Sequence, residues 1–185
     1  MKKIIVLLIV AALLFSAALV ILNWNEIKLK FVLDRYNRIL NRELPQDFTL
    51  KIYWMSPYID TYMSVTVESI KTDYEEHTRT IVVTSKEMAK HLEALKQLNS
   101  SVIQTTDAFH RDDRRLYYVF ETEGKSILDV SLFPGGGTDE GVNAYICGIK
   151  VKPNPALYEA IIPFLSEEDR KFLHLYEIGI ISKDK

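Results

Sequence analysis

Three features of the sequence predict an α+β domain behind an N-terminal transmembrane helix. An apolar run opens the chain, stretches alternating apolar and polar residues with period two fill its middle, and helix-spaced apolar stripes interrupt them. Short connections between the alternating stretches predict an antiparallel sheet with helices packed on one face.

The opening run, Ile4 to Leu22, is broken only by Ser16. At helical rise it covers about 28 Å, close to a hydrocarbon core of about 30 Å. Lys2 and Lys3 precede it, and Trp24, between Asn23 and Asn25, follows at the level of an interfacial aromatic. Residues 1–25 are therefore read as an uncleaved signal-anchor, with residues 4–22 in contact with membrane lipid. A cleaved signal peptide competes: "SAA" at Ser16 to Ala18 is a candidate cleavage site, but "LVIL" follows where a polar stretch belongs. Orientation draws opposite arguments. Lys28, Lys30, Arg35, Arg38 and Arg42 outnumber the two lysines before the run, which favours a cytoplasmic body. A short "MKK" head is the usual start of an export signal, and large domains translocate largely regardless of charge. The expectation adopted is a single-pass protein with its globular part outside the cytoplasm.

Roughly 160 residues remain, enough for one domain with a proper core. The lone cysteine, Cys147, excludes an internal disulfide. It lies in "AYICGIKV", which alternates like a strand, and is expected to be a small packing residue. Residues 26–42 hold five basic and two acidic side chains, whereas residues 43–185 hold sixteen basic and twenty-three acidic. An acidic body argues against nucleic acid as a partner. The basic stretch beside the run is either a contact for anionic lipid headgroups or a solvated helix face.

"EIKLKFVLDRYNRILNREL" spaces Leu29, Val32 or Leu33, Tyr36 and Leu40 by three and four, so residues 26–43 form an amphipathic helix that Pro45 stops. This juxtamembrane segment, 26–45, leads into a single α+β domain over 46–177, with 178–185 as a tail. "FTLKIYWM" places Phe48, Leu50, Ile52 and Trp54 on one strand face, and "YMSVTVESI" repeats the alternation. After the short strand "TIVV" comes a helix over 84–99, with Thr84 and Glu87 at capping-box spacing and Met88, Leu92, Leu95 and Leu98 on one side. "VIQTT", "RLYYVFETE", "SILDVSLF" and "VNAYICGIKV" are the remaining strands, the middle pair joined through Gly124. A helix interrupted at Pro163 follows, and Ser166 with Asp169 offers a cap for the last one.

Candidate sites are few. "PGGGTDEG" lacks the ending of a phosphate loop and fits a hairpin loop. "DAFHRDD" gathers Asp107, His110, Asp112 and Asp113, oxygen and nitrogen donors for a divalent metal, although Arg111, Arg114 and Arg115 compete for the carboxylates. Tyr58 and Tyr62 fall beside a turn, where amphipathic rings suit partner or glycan contact or form the rim of the core. No serine occupies a nucleophile elbow, and no spacing implies a Cys–His or paired-carboxylate site. No cofactor is indicated.

The basic start, the apolar run and the strand-to-helix step "VVTSKEMAKHLEAL" resemble uncharacterised membrane-anchored or lipoprotein-type extracytoplasmic domains of Gram-positive bacteria. The resemblance covers most of residues 46–165, in pattern only, and the lipobox cysteine of the lipoprotein members is missing. It implies a surface location and no catalytic residues. The functional expectation is a membrane-anchored domain that binds or senses without catalysis. The alternatives are a metal-dependent surface enzyme using "DAFHRDD" and a small membrane subunit that pairs with a protein partner through its helices.

Overall fold

The period-two stretches become strands because each buries one side chain in two. β1 (Thr49–Met55) buries Leu50, Ile52 and Trp54 on one face. The computed structural model describes residues 23–56, 59–107, 113–132 and 144–172, together with Val10, Phe15, Val20 and Ile21. The first helix, α1 (Trp24–Leu40), turns Leu29, Leu33, Tyr36 and Leu40 inward. It starts two residues earlier than its stripe predicts and ends three earlier. Then follow β1, α2 (Val67–Lys71), β2 (Thr78–Thr84), α3 (Ser85–Met88) and α4 (Leu92–Leu95). β3 (Leu116–Thr122), β4 (Lys125–Leu132), β5 (Ala144–Ile146), β6 (Ile149–Val151), α5 (Ala156–Glu159) and α6 (Glu167–Phe172) complete the order.

The strands form one antiparallel sheet, β2-β1-β3-β4-β5-β6. Leu50, Ile52 and Trp54, with Leu116, Tyr118 and Phe120 beside them and Leu128, Val130 and Leu132 beyond, make the main core face. α1, Met88, Leu95, Leu157 and Leu165 cover it. Tyr36 is clamped there, its ring 4.8 Å from that of Phe120 and its hydroxyl donating to the Leu95 carbonyl at 3.4 Å.

Four expectations need correction. Helices do not lie on one face alone: α2 covers part of the other, where Met55, Val65, Ile70, Tyr117 and Val119 form a second small core. Residues 62–70 are not a strand. Thr66 and Ser69 cap each other, the Thr66 N–H donating to Ser69 Oγ at 2.8 Å and the Ser69 N–H to Thr66 Oγ1 at 3.1 Å. That reciprocal cap starts α2 where alternation alone reads as extended chain. The last strand is two strands, because Cys147 (φ 47°) and Gly148 (φ 75°) make a two-residue turn between β5 and β6. "VIQTT" supplies only a bridge, Thr105 to Val151, along the β6 edge.

Other local signals hold. Glu123 (φ 50°) and Gly124 (φ 69°) turn β3 into β4. The Glu87 carboxylate accepts from the Thr84 N–H at 2.9 Å, starting α3 as the capping box predicts, although α3 and α4 are two short helices joined by a tight turn. Ser166 Oγ lies 2.6 Å from Asp169 Oδ2 at the start of α6. Among the described residues no helix is long and apolar enough to cross a membrane. Apart from its four described positions, the run 4–22 lies outside those residues, as do the "PGGGTDEG" loop and the tail.

Candidate functional site

Of the four residues expected to bind a metal, Asp107 and Asp113 are described, and of these only Asp113 is buried. Asp107 is exposed at a loop end, while His110 and Asp112 lie outside the described residues. Asp113 is buried beside Arg115. Its Oδ1 accepts the Val65 N–H at 3.0 Å and lies 3.2 Å from Arg115 Nε, and its Oδ2 lies 3.3 Å from Arg115 Nη2. The same guanidinium donates to the Ile59 carbonyl at 2.9 Å and to Thr61 Oγ1 at 3.1 Å. The pair therefore stitches the 59–65 loop to the start of β3, and the Asp113 lone pairs are already in use. Of the three arginines expected to compete for these carboxylates, Arg115 wins this one. Among the described residues no three His, Cys, Asp or Glu side chains gather as a metal site.

Tyr58 lies outside the described residues. Tyr62 is fully exposed and lines a groove of about 480 Å³ with Asp60, Asp73, Glu75 and Glu76. Its ring is on the surface, as partner contact requires, and it does not rim the core.

A second constellation lies on the sheet face that α2 half covers. The Tyr53 and Tyr117 rings are 5.9 Å apart, with Lys71 Nζ 4.2 Å from the Tyr117 centroid and 5.6 Å from that of Tyr53. The Arg114 guanidinium lies 4.4 Å from the Tyr145 ring, an arrangement worth about 0.5–2 kcal/mol per cation. Burial raises the Asp129 carboxyl above its ordinary range, partly offset by the hydrogen bond from the Cys147 thiol and by Lys71 and Arg114. Burial also pushes the thiol up, to about 11. A thiol held protonated at neutral pH is a poor nucleophile, so this cluster is a packed polar seam. At pH 7.5 Cys147 is expected to react with iodoacetamide about 100-fold more slowly than in the urea-unfolded chain, the thiolate fraction falling tenfold per pKa unit. Equal rates in the two states would refute that burial. Sequence spacing could not find this cluster, because its members come from β1, α2, β3 and the loop before it, β4, β5 and the β5–β6 turn.

The most distinctive surface belongs to α1. At 3.6 residues per turn, Trp24, Ile27 and Phe31 fall on one stripe with Lys28, Arg35 and Arg38, roughly 160° from the buried stripe, and Arg42 lies two residues beyond the helix. Trp24 is 57% exposed, Ile27 46% and Phe31 62%. The two carboxylates of the helix point elsewhere. Asp34 accepts the Ser100 hydroxyl at 2.9 Å, and Glu26 accepts that of Thr105 at 3.4 Å. The stripe thus carries Lys28 among apolar residues at the end next to the run and arginines at the other, with Asp34 at its edge. A hollow of about 430 Å³ opens among Phe31, Arg35, Arg38, Ile39 and Arg42. The sequence carries the signal, a second apolar spacing of three and four opposite the first, beside the basic residues expected to meet lipid headgroups or solvent.

No family model, curated protein or solved structure matches this chain.

Proposed function

We propose that this is a single-pass membrane protein whose acidic extracytoplasmic body binds or senses without catalysing a reaction. The observation that carries the reading is the absence of slack between the run and the body. Trp24 follows Leu22 after one residue and opens a helix whose Leu29, Leu33, Tyr36 and Leu40 are at most 3% exposed in the main core. If residues 4–22 span the bilayer, the body is held at its surface with no flexible linker. Val10, Phe15, Val20 and Ile21 are helical with large exposed apolar surfaces, 66% for Phe15 and 74% for Ile21, which water disfavours and lipid does not.

The fully exposed Tyr62, above its acidic groove, is the contact residue this reading favours, with a cationic partner as the matching chemistry. The metal-enzyme alternative is weakened by the commitment of Asp113 to Arg115. In cell fractionation the chain is expected in the membrane pellet after alkaline carbonate washing, and protease added to intact cells is expected to digest the body. Recovery in the soluble fraction would remove the anchor. Protection until lysis would reverse the orientation.

A further inference from the structure

We infer that the outer stripe of α1 is a docking surface for anionic phospholipid, with the phosphodiester headgroups received by Arg35, Arg38 and Arg42 and the interfacial region by Trp24, Ile27 and Phe31. The inference rests on the anchored reading above, because a membrane at residues 4–22 brings a lipid surface to the start of this helix.

Four observations choose lipid as the occupant. The stripe grades along the helix, Lys28 among Trp24, Ile27 and Phe31 in its first two turns and arginines beyond, as an interfacial helix meeting anionic headgroups does. The Glu26 and Asp34 carboxylates accept from the Thr105 and Ser100 hydroxyls and pair with none of its cations. Arg38 donates one hydrogen bond to its own helix, Nε to the Asp34 carbonyl at 3.3 Å, and its exposed guanidinium remains on the surface. The hollow lined by Phe31 and the three arginines is open and shallow, matching a planar array of phosphates better than a protein knob.

The backbone provides the necessary turn. Asn23, at φ −101° and ψ 15°, is outside the helical well, so α1 begins afresh at Trp24. Docking requires the helix to lie along the surface from that point. Its buried stripe then faces away from lipid and carries the acidic body on the distal side, the arrangement that anionic headgroups favour. From Trp24 to Leu40 the helix extends over about 24 Å. Cations near an anionic surface are attracted to it, so Lys28, Arg35, Arg38 and Arg42 bias the helix from upright to lying down.

Position 31 separates the geometries, because it is about 10 Å along the helix from Trp24 and reaches lipid only if α1 lies flat. The full-length chain carrying Trp24→Phe and Phe31→Trp is reconstituted into phosphatidylcholine liposomes, with or without about one-third phosphatidylglycerol. Acrylamide quenching is read at residue 31, with the Trp24→Phe chain subtracting the buried Trp54. Quenching is expected to fall about twofold or more with the anionic lipid, and to recover in about 0.5 M salt. It is also expected to recover when Arg35→Gln, Arg38→Gln and Arg42→Gln are added. Equal quenching in both compositions, with the chain fully incorporated, would overturn the docking surface and leave the anchor standing. A chain that enters neither liposome overturns both.

Discussion

Removal of residues 1–41 is expected to unfold the body, whereas removal of residues 1–22 leaves it folded. α1 contributes Leu29, Leu33, Tyr36 and Leu40 to the main core, all between 0% and 3% exposed. At about 1.5–3 kcal/mol for each fully buried side chain, their loss costs about 6–12 kcal/mol, an upper estimate. A domain of this kind has about 5–15 kcal/mol in total, so the deficit equals most or all of its stability. The deletion would also expose Phe120 and Phe48, which stack against each other at 6.1 Å beneath the helix. Far-UV circular dichroism and urea titration of the two truncated chains are the measurement. A cooperative transition in the shorter chain at the midpoint of the longer one would show that α1 is an attachment and not part of the core.

Arg115→Ala is expected to be the most damaging single polar substitution, costing about 3–5 kcal/mol, which is about 10 °C in melting temperature. The guanidinium is 4% exposed and holds Asp113, the Ile59 carbonyl and Thr61 together. Its loss strands a buried carboxylate that keeps only the Val65 N–H. Arg115→Lys restores less than half, because one ammonium cannot span three acceptors that a planar fork reaches at once. Asp113→Asn added to Arg115→Ala costs little more, since the charge it removes is already uncompensated, so the double variant falls well short of the sum. Protease cleavage within the 59–65 loop should accelerate in parallel. Additive losses, or an unchanged melting temperature, would mean the pair is incidental.

The strands were legible wherever alternation and burial coincide. Leu50, Ile52 and Trp54 face the core as their spacing predicts, and Gly124 turns β3 into β4 as expected. The Thr84–Glu87 and Ser166–Asp169 caps were legible because each pair is three residues apart. The stretch 62–70 misled because Met63, Val65 and Val67 alternate, while the Thr66–Ser69 cap that overrides them carries no glutamate to advertise it. "AYICGIKV" misled through Cys147, a non-glycine residue at positive φ, where only the following Gly148 signalled a turn. The metal expectation met a constraint at Asp113. Asp113 was identified as a carboxylate among arginines, but its commitment needed a loop nearly fifty residues upstream to supply the Val65 N–H.

The sequence by itself determined the α+β class, the inward stripe of α1, the main strands, two helix caps and the uneven division of charge. Those features arise from contacts within four residues or from alternation along a single strand. Tertiary structure alone decided the strand order, the second core under α2, the ion pair that withdraws Asp113 from metal chemistry, and the Asp129–Cys147 contact. Each joins residues far apart in the chain, so its formation depends on closing long loops around a shared core, and no local spacing encodes that.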